Sequence, residues 1–485
     1  MYELKYLQKI RNNENVPLLL PKGYEFVGPT PFRHQIITML YGLTYKDLAI
    51  FSTMGTGKTA ASLYIMRYWI QAGEVGKTLV VCPSSVLGNW RTETHLFTEH
   101  KAIVLHHSNR DERLKLFKEK AQVFIINYEG TFRYLKQILR LDYDMVIFDE
   151  SSRISNPDAK QTKACMEIAG HAKYRCLLNG TPIANKPLDL WSQMYCLDFG
   201  DSLGKSFRSY RRAYFATIKM KNPTGQYFSI YKVRNKVAMD DIAQRIAKKS
   251  IRYTKEECIK DMPEKLYQVR TLELPKESRK LYEEMYNNAK LEIAKLGQNI
   301  SAWIVLTKFV KATQITSGYV KTDEGNYLKL KTNPKLDELR YLLEEIVPNE
   351  AIVIWCKYLF SISIIEKMLE KMGINYLVIK GDVKDKSGVA KIFQETTIED
   401  IPVMVGQIQA GGIGLNLHKA TVEVFYENCW RLLDRQQAED RCHRLGTKKN
   451  VTIVDMVMSN TIDEEILKAI RKKEEIANYI LKNVR

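Results

Sequence analysis

The sequence predicts an α/β protein built as two parallel sheets in tandem. The first observation behind this is a series of short apolar runs bounded by polar turns and separated by helical patterns: "DLAIF" (47–51), "TLVVCP" (78–83), "VFIIN" (123–127), "MVIFDE" (145–150) and "YRCLLNGT" (174–181). The second is the return of that rhythm after a lysine- and tyrosine-rich middle, in "AIVIWC" (351–356), "NYLVIKG" (375–381), "IPVMVGQ" (401–407), "TVEVFYE" (421–427) and "VTIVDMV" (451–457). Runs this short and this uniformly apolar suit strands covered on both faces, which need crossover helices between parallel neighbours. The third is length, since 485 residues exceed one ordinary core and favour two or three packed units.

Along the chain, residues 1–200 read as the first sheet lobe and 201–262 as a helical, basic insertion followed by a return strand. Residues 263–330 read as linker and helical insertion, 331–460 as the second sheet lobe, and 461–485 as a C-terminal helix packing across the lobes. "KESRKLYEEMYNNAKLEIAKL" (276–296) has the spacing of an amphipathic helix with a charged solvent side, and the C-terminal segment sets Ile462, Ile466, Ile470 and Ile476 towards one side. Neither internal repeats nor low-complexity linkers interrupt this order.

Composition narrows the class of partner. Lys and Arg total 74 against 56 Asp and Glu, a formal charge of +18 that favours a polyanion such as nucleic acid. The 8 cysteines are scattered, with no C-x-x-C pair and no His cluster at metal-ligand spacing, and read as reduced, buried thiols of a cytosol-like compartment. The apolar runs fall far short of the roughly 20 residues that span a bilayer. The opening "MYELKYLQKIRNNENV" lacks the apolar stretch of a signal peptide or anchor. A cytoplasmic location follows as the expectation, the host cytoplasm if the chain is viral.

The stretch "IFSTMGTGKTAAS" (50–62) joins a predicted strand to a predicted helix, the context of a phosphate-binding loop. Gly55 and Gly57, with Thr56 between them, let backbone amides curl around phosphate oxygens at the positive end of the following helix. Lys58 then neutralises the β- and γ-phosphates and Thr59 holds Mg²⁺. Ser52 stands where the pattern calls for glycine, a small residue in place of the smallest. About ninety residues on, "MVIFDESS" sets Asp149 and Glu150 at the C-terminal end of a strand, the edge at which open α/β sheets bind ligands. Asp149 suits the Mg²⁺ shell, leaving Glu150 to orient or deprotonate an attacking water.

Further motifs arrive in an order that resembles the superfamily-two helicases, and within them the Swi/Snf-type ATP-dependent translocases: "TLVVCPSSVLGNWRTE" (78–93), "DESSRISNP" (149–157), "LLNGTPIANKPLDLWSQM" (177–194), "GGIGLNLHKA" (411–420) and "QAEDRCHRLGT" (437–447). The likeness runs from about residue 29 to the end and is similar to the compact phage and bacterial members, with no chromodomain-like, bromodomain-like or zinc-binding extension. It implies two RecA-like lobes clasping ATP, with DNA lying across both and the chain acting as a monomer. Gln35 in "TPFRHQ" matches the adenine-reading glutamine. Arg441 and Arg444 match the arginine fingers, placed by their spacing on one face of a helix, and Gln437 opens their motif. Ser84 and Ser85, Gly180 and Thr181, and Gly411, Gly412 and Asn416 fall in loops that would touch strand phosphates without reading bases. Trp90 reads as packed, not stacked on a base.

Three departures from the family pattern stand out. Ser152 replaces the histidine that links hydrolysis to strand movement, "QIQ" (407–409) puts Ile408 where a polar pair is expected, and Thr447 replaces a final glutamine. The stretch 218–236 interleaves Lys219, Lys221, Lys232, Arg234 and Lys236 with Tyr227, Phe228 and Tyr231, which fits either a nucleic-acid surface or a charged hairpin. "SIRYTKEECIKDMPEK" (250–265) resembles the strand and linker between the lobes, with the boundary near Pro263. The expected function is a DNA-stimulated ATPase that steps along duplex or branched DNA at forks, junctions or R-loops in replication, recombination or repair. A P-loop phosphotransferase or regulatory NTPase, and a DNA-binding protein without turnover, are the alternatives.

Overall fold

The computed structural model describes residues 2–221, 227–258, 262–294, 302–322, 324–347, 349–410, 415–444, 447 and 449–482. The chain divides into two compact units, Met1–Ala216 with Val233–Lys260 and Ile476–Arg485, and Thr217–Lys232 with Asp261–Glu475.

The first unit holds a seven-stranded sheet of β1 (Asp47–Ile50), β2 (Thr78–Cys82), β3 (Ala102–Val104), β4 (Val123–Asn127), β5 (Met145–Asp149), β6 (Tyr174–Leu178) and β9 (Ser250–Ile251). Their spatial order is β3-β4-β2-β5-β6-β1-β9 and every pairing is parallel. The register sets Asp149 opposite Leu178 and Ile50 opposite both Leu178 and Ile251, so the ends of β5, β6 and β1 form one edge. The five strands expected from apolar runs are present. The three-residue β3 and two-residue β9 are too short to leave a periodic signal.

The second unit holds a six-stranded parallel sheet in the order β10-β17-β16-β13-β15-β14, from β10 (Lys265–Leu272), β13 (Ala351–Cys356), β14 (Tyr376–Ile379), β15 (Val403–Gln407), β16 (Ala420–Phe425) and β17 (Val451–Met458). The run "AIVIWC" shows why no alternation was visible. Ala351, Val353 and Trp355 pack in one core, while Ile352, Ile354 and Cys356 pack in another on the opposite face. Within the stretch expected to be linker and helical insertion, Lys265–Leu272 instead pairs with β17 along its whole length. Its mixed "KLYQVRTL" hides the strand, because an edge strand leaves Leu266, Tyr267 and Val269 exposed.

Two small two-stranded sheets complete the description: β7 (Phe215–Lys221) with β8 (Tyr227–Val233), and β11 (Tyr319–Lys321) with β12 (Tyr327–Lys329). The first is the basic, aromatic stretch, and Lys219, Lys232, Arg234 and Lys236 are exposed on and just after it. The side chains of Lys221, Tyr227 and Phe228 lie outside the described residues. Helices occupy Lys276–Ala294 and Ile462–Leu481, the latter burying Ile462, Ile466 and Ile470 and leaving Ile476 half-buried. Among the described residues no helix is long and apolar enough to cross a membrane.

One buried acid marks the second sheet. Glu423 on β16 is fully buried, and its Oε2 accepts the Trp355 indole N–H at 2.7 Å. Burial, reinforced by the charge of Glu439, pushes its carboxyl up to about 8. Between the ordinary glutamate value and about 8 the folded chain therefore holds a proton that the unfolded chain has released. Stability contributed by this group is complete below that window and falls across it as pH rises. Replacing Glu423 by Gln should raise the thermal midpoint of this unit at about pH 8 by the equivalent of at least ~1 kcal/mol, roughly one pKa unit of relief. It should also flatten the decline between about pH 6 and about pH 8 in melts followed by circular dichroism.

Candidate functional site

The phosphate loop leaves β1 and closes on the helix Lys58–Gln71. Gly55 and Gly57 both take left-handed backbone angles, φ 79° and 77°, where a side chain would strain the turn. A Cβ on Gly57 would also collide with the Gln35 amide, which is buried against the loop, while Gln35 Oε1 accepts the Phe32 N–H at 2.9 Å. Thr56 is buried. Its hydroxyl donates to Thr53 O at 2.9 Å, and its own carbonyl lies 2.7 Å from His34 Nε2. Lys58 Nζ donates to Thr53 O at 3.1 Å, across the mouth of the loop.

Ser52 has a specific job that glycine could not do. Its buried hydroxyl accepts the Tyr253 N–H at 3.0 Å, and the backbone ladder continues beside it, from Phe51 N to Ile251 O at 2.8 Å and from Thr53 N to Tyr253 O at 2.9 Å. The base of the loop is thus bound to the return strand from residue 250 onward.

Asp149 ends β5, and Glu150 follows in the left-handed region with φ 52° and ψ 52°. A non-glycine residue there costs about 1 kcal/mol or more, and such strain collects at functional sites. Asp149 Oδ2 accepts the Trp90 indole N–H at 2.8 Å, and Oδ1 accepts the Glu150 backbone N–H at 2.9 Å. Burial raises the proton affinity of Asp149, opposed by the Trp90 hydrogen bond and the Lys58 charge. A divalent cation would keep such a carboxylate ionised. The Thr59 hydroxyl with the Asp149 carboxylate is an oxygen-only donor pair, which fits Mg²⁺ sharing its shell with phosphate and water.

Sequence reasoning placed Trp90 in the core, where it is, without seeing its bond to Asp149. It missed Glu93, one helical turn on, whose carboxyl is pushed up to about 7 by burial and then by the Asp149 charge. Ser151 was missed too. Its buried hydroxyl donates to Gln193 Oε1 at 2.7 Å, and Asn179 Nδ2 donates to Ser151 Oγ at 3.2 Å and to Gln193 Oε1 at 3.1 Å. This triangle ties the loop after β5 to the loop after β6. Ser152 stands at the position of the family's histidine, and it is its neighbour Ser151 that makes these bonds.

The loop after β6 runs beside the phosphate loop. Gly180 lies against the phosphate loop, where a Cβ on it would sit 3.6 Å from Lys58 Nζ. Thr181 is buried, with its N–H on Asn179 Oδ1 at 2.9 Å. Gly180 itself is half-buried. Ser84 and Ser85 are exposed at the end of β2, where Ser84 Oγ accepts from Asn127 Nδ2 at 2.8 Å.

In the second unit the helix Leu432–Glu439 carries Gln437, half-buried, and stops before the arginines. Arg441 and Arg444 therefore lie in successive turns after the helix, not on one face of it. The turn is built from both sides. Arg435, buried over the Phe425 ring at 3.5 Å, bonds Glu439 Oε1 at 2.7 Å and Asp455 Oδ1 at 2.5 Å, while Lys265 of β10 reaches Glu439 at 3.0 Å and Asp440 at 3.3 Å. Arg441 O accepts the Leu417 N–H at 3.0 Å, and Arg444 Nη1 donates to Leu415 O at 2.9 Å. Thr447 closes the turn with its hydroxyl to Arg444 O at 2.7 Å, a local tie that a longer glutamine would not make. Ile408 is buried in the core with Leu415 and Leu417, so the polar pair gave way to an apolar anchor for the same loop. Asn416 is exposed, with Oδ1 2.6 Å from His418 Nδ1. Gly411, Gly412 and Gly446 lie outside the described residues.

Comparison with known proteins agrees with this arrangement of motifs. Residues 334–446 match the helicase conserved C-terminal domain. An uncharacterized ATP-dependent helicase of Mycoplasma genitalium is 28% identical over 437 residues, 88% of this chain and 40% of that protein. An uncharacterized ATP-dependent helicase of Mycoplasma pneumoniae is 27% identical over 487 residues, 99% of this chain and 45% of the relative. The chain thus spans less than half the length of these relatives. The SWI2/SNF2 ATPase core of Sulfolobus solfataricus in complex with dsDNA aligns at 23% identity over 96% of this chain and 95% of that one, with a TM-score of 0.44. The phosphate loop, the Asp149–Glu150 pair and the loop after β6 all fall inside residues 34–319, which match the SNF2-related domain, and the chain belongs to that family.

Proposed function

We propose that the chain is an ATP-dependent motor on DNA, hydrolysing ATP in the presence of the duplex and converting each turnover into a step. The observation that carries this reading is the convergence of Lys58, Thr59, Asp149 and Glu150 on one sheet edge. In this reading Lys58 and the loop amides bind the β- and γ-phosphates, while Gln35 selects the adenine. Thr59 and Asp149 would hold Mg²⁺, which when bound neutralises the charge that builds on the transferred phosphoryl group. Glu150 orients the attacking water and takes its proton. Arg441, with Arg444, supplies the positive charge that stabilises the transition state.

The test is hydrolysis with and without duplex DNA. Lys58→Ala, Glu150→Gln and Arg441→Ala should each lower DNA-stimulated turnover by at least ~10²-fold, the scale of losing one charge-stabilising group, while DNA retention in gel shifts persists. Wild-type hydrolysis that ignores added DNA would favour a regulatory NTPase, and full turnover in Arg441→Ala would remove the two-unit mechanism.

The +18 charge and the hydroxyl-bearing loop at Ser84 and Ser85 favour a backbone-reading mode. Affinity should be alike for unrelated duplex sequences. It should drop ~10³- to 10⁵-fold between roughly 50 and 200 mM salt if six to ten phosphates are engaged. A flat salt dependence in equilibrium titrations contradicts this mode. Within this reading, action by a monomer on branched DNA at forks, junctions or R-loops is the finer proposal, scored by comparing turnover on duplexes and four-way junctions.

A further inference from the structure

We propose that Tyr128 is a positioning residue for Glu150, its phenol holding the peptide group from which the Glu150 side chain is aimed. The inference rests on the reading of Glu150 as the group that orients and deprotonates the attacking water. Tyr128 is 1% exposed and acts through the backbone, not on substrate.

Glu150 takes φ 52° and ψ 52° directly after Asp149. For a residue with a Cβ this conformation carries a cost equal to about a tenfold population ratio, and it persists only where the surroundings fix it. The strand ladder does part of this. β2 pairs with β5 only as far as Phe148, opposite Val81, while Asp149 pairs with Leu178 of β6. At Asp149 the Tyr128 hydroxyl takes over, donating to the Asp149 carbonyl oxygen at 2.7 Å. Tyr128 opens the short helix Tyr128–Arg133 directly after β4, and β2 lies between β4 and β5 in the sheet. The phenol therefore reaches past the end of an intervening strand to a carbonyl that sheet pairing does not require it to meet. That carbonyl and the Glu150 N–H belong to one planar peptide group. The N–H donates to Asp149 Oδ1 at 2.9 Å, and the other carboxylate oxygen, Oδ2, is held by the Trp90 indole at 2.8 Å. The peptide is thus gripped at both of its polar ends, and its plane sets the direction in which the strained residue leaves it. Burial, and then the Cys165 thiol, hold the phenol well above its ordinary range, so the donor keeps its hydrogen at any working pH. Tyr143 supplies the comparison. It is also buried, and its hydroxyl donates to the Ile168 carbonyl at 2.8 Å, but it precedes β5 at the end away from Glu150.

The test separates positioning from folding. ATP turnover with saturating duplex DNA, affinity for a fluorescent ADP analogue and thermal melts are measured on wild type, Tyr128→Phe, Tyr143→Phe, Glu150→Gln and the Tyr128→Phe/Glu150→Gln double variant. Tyr128→Phe is expected to lower kcat about tenfold, the ratio the lost bond was holding, with KM and ADP affinity unchanged. Tyr143→Phe loses an equivalent bond and should keep kcat within about twofold of wild type. In the Glu150→Gln background, followed by single-turnover hydrolysis, Tyr128→Phe should remove less than about twofold more, because the carboxylate it aims is gone. A Tyr128→Phe kcat within about twofold of wild type overturns the positioning role. So does an equal loss in both backgrounds, which is the result partial unfolding gives. Tyr128→4-aminophenylalanine keeps a donor at the same ring position and should restore most of the turnover. If Tyr128→Phe does not fold, this variant decides, and a folded but inactive protein overturns the proposal. Wild-type turnover in Glu150→Gln would instead sink the reading of Glu150 itself, a separate failure.

Discussion

Three hydrogen bonds between the phosphate loop and a segment two hundred residues away hold the first unit's chemistry together. Phe51 and Thr53 donate to Ile251 and Tyr253, and Tyr253 donates back to Ser52. The loop they brace is held by two left-handed glycines and would otherwise sample many conformations, since glycine gives up more freedom on ordering than any other residue. The return strand thus holds one end of the loop and the helix Lys58–Gln71 the other. Gln35 and Gly180 both lie against that loop.

The second unit solves a different problem, presenting two arginines from a turn instead of a helix. A turn is soft, and the surrounding charges stiffen it. Arg435, Glu439, Asp455 and Lys265 form a buried network with both signs matched, so no charge is left to bear its desolvation cost alone. The Leu417 N–H donated to Arg441 O and the Arg444 guanidinium donated to Leu415 O then tie the turn to the loop before β16. Two of the departures from the family pattern, Ile408 and Thr447, are parts of this same support.

Much of this was legible in the residues. Strands buried on both faces announce themselves by continuous apolar runs, and the strand-end acids followed from "MVIFDE" alone. What escaped notice did so for physical reasons. β10 is an edge strand whose side chains are largely wet, so its pattern carries no apolar run. The link between the loops after β5 and β6 lies in Ser151, Asn179 and Gln193, three common residues whose meaning is wholly in their geometry. Reading the arginines on one face of a helix assumed that the helix continued past Glu439. The chain instead turns there, at Asp440.

The origin of β9 has a practical consequence for anyone cutting this protein into pieces. A fragment ending at residue 200 contains the phosphate loop, Asp149 and Glu150 but not Ser250 and Ile251, so β1 becomes a bare sheet margin. Its unpaired amides and carbonyls then form a template for intermolecular pairing, and the cradle above it loses its floor. Expression boundaries are better drawn around the sheet's membership than around the order of the motifs.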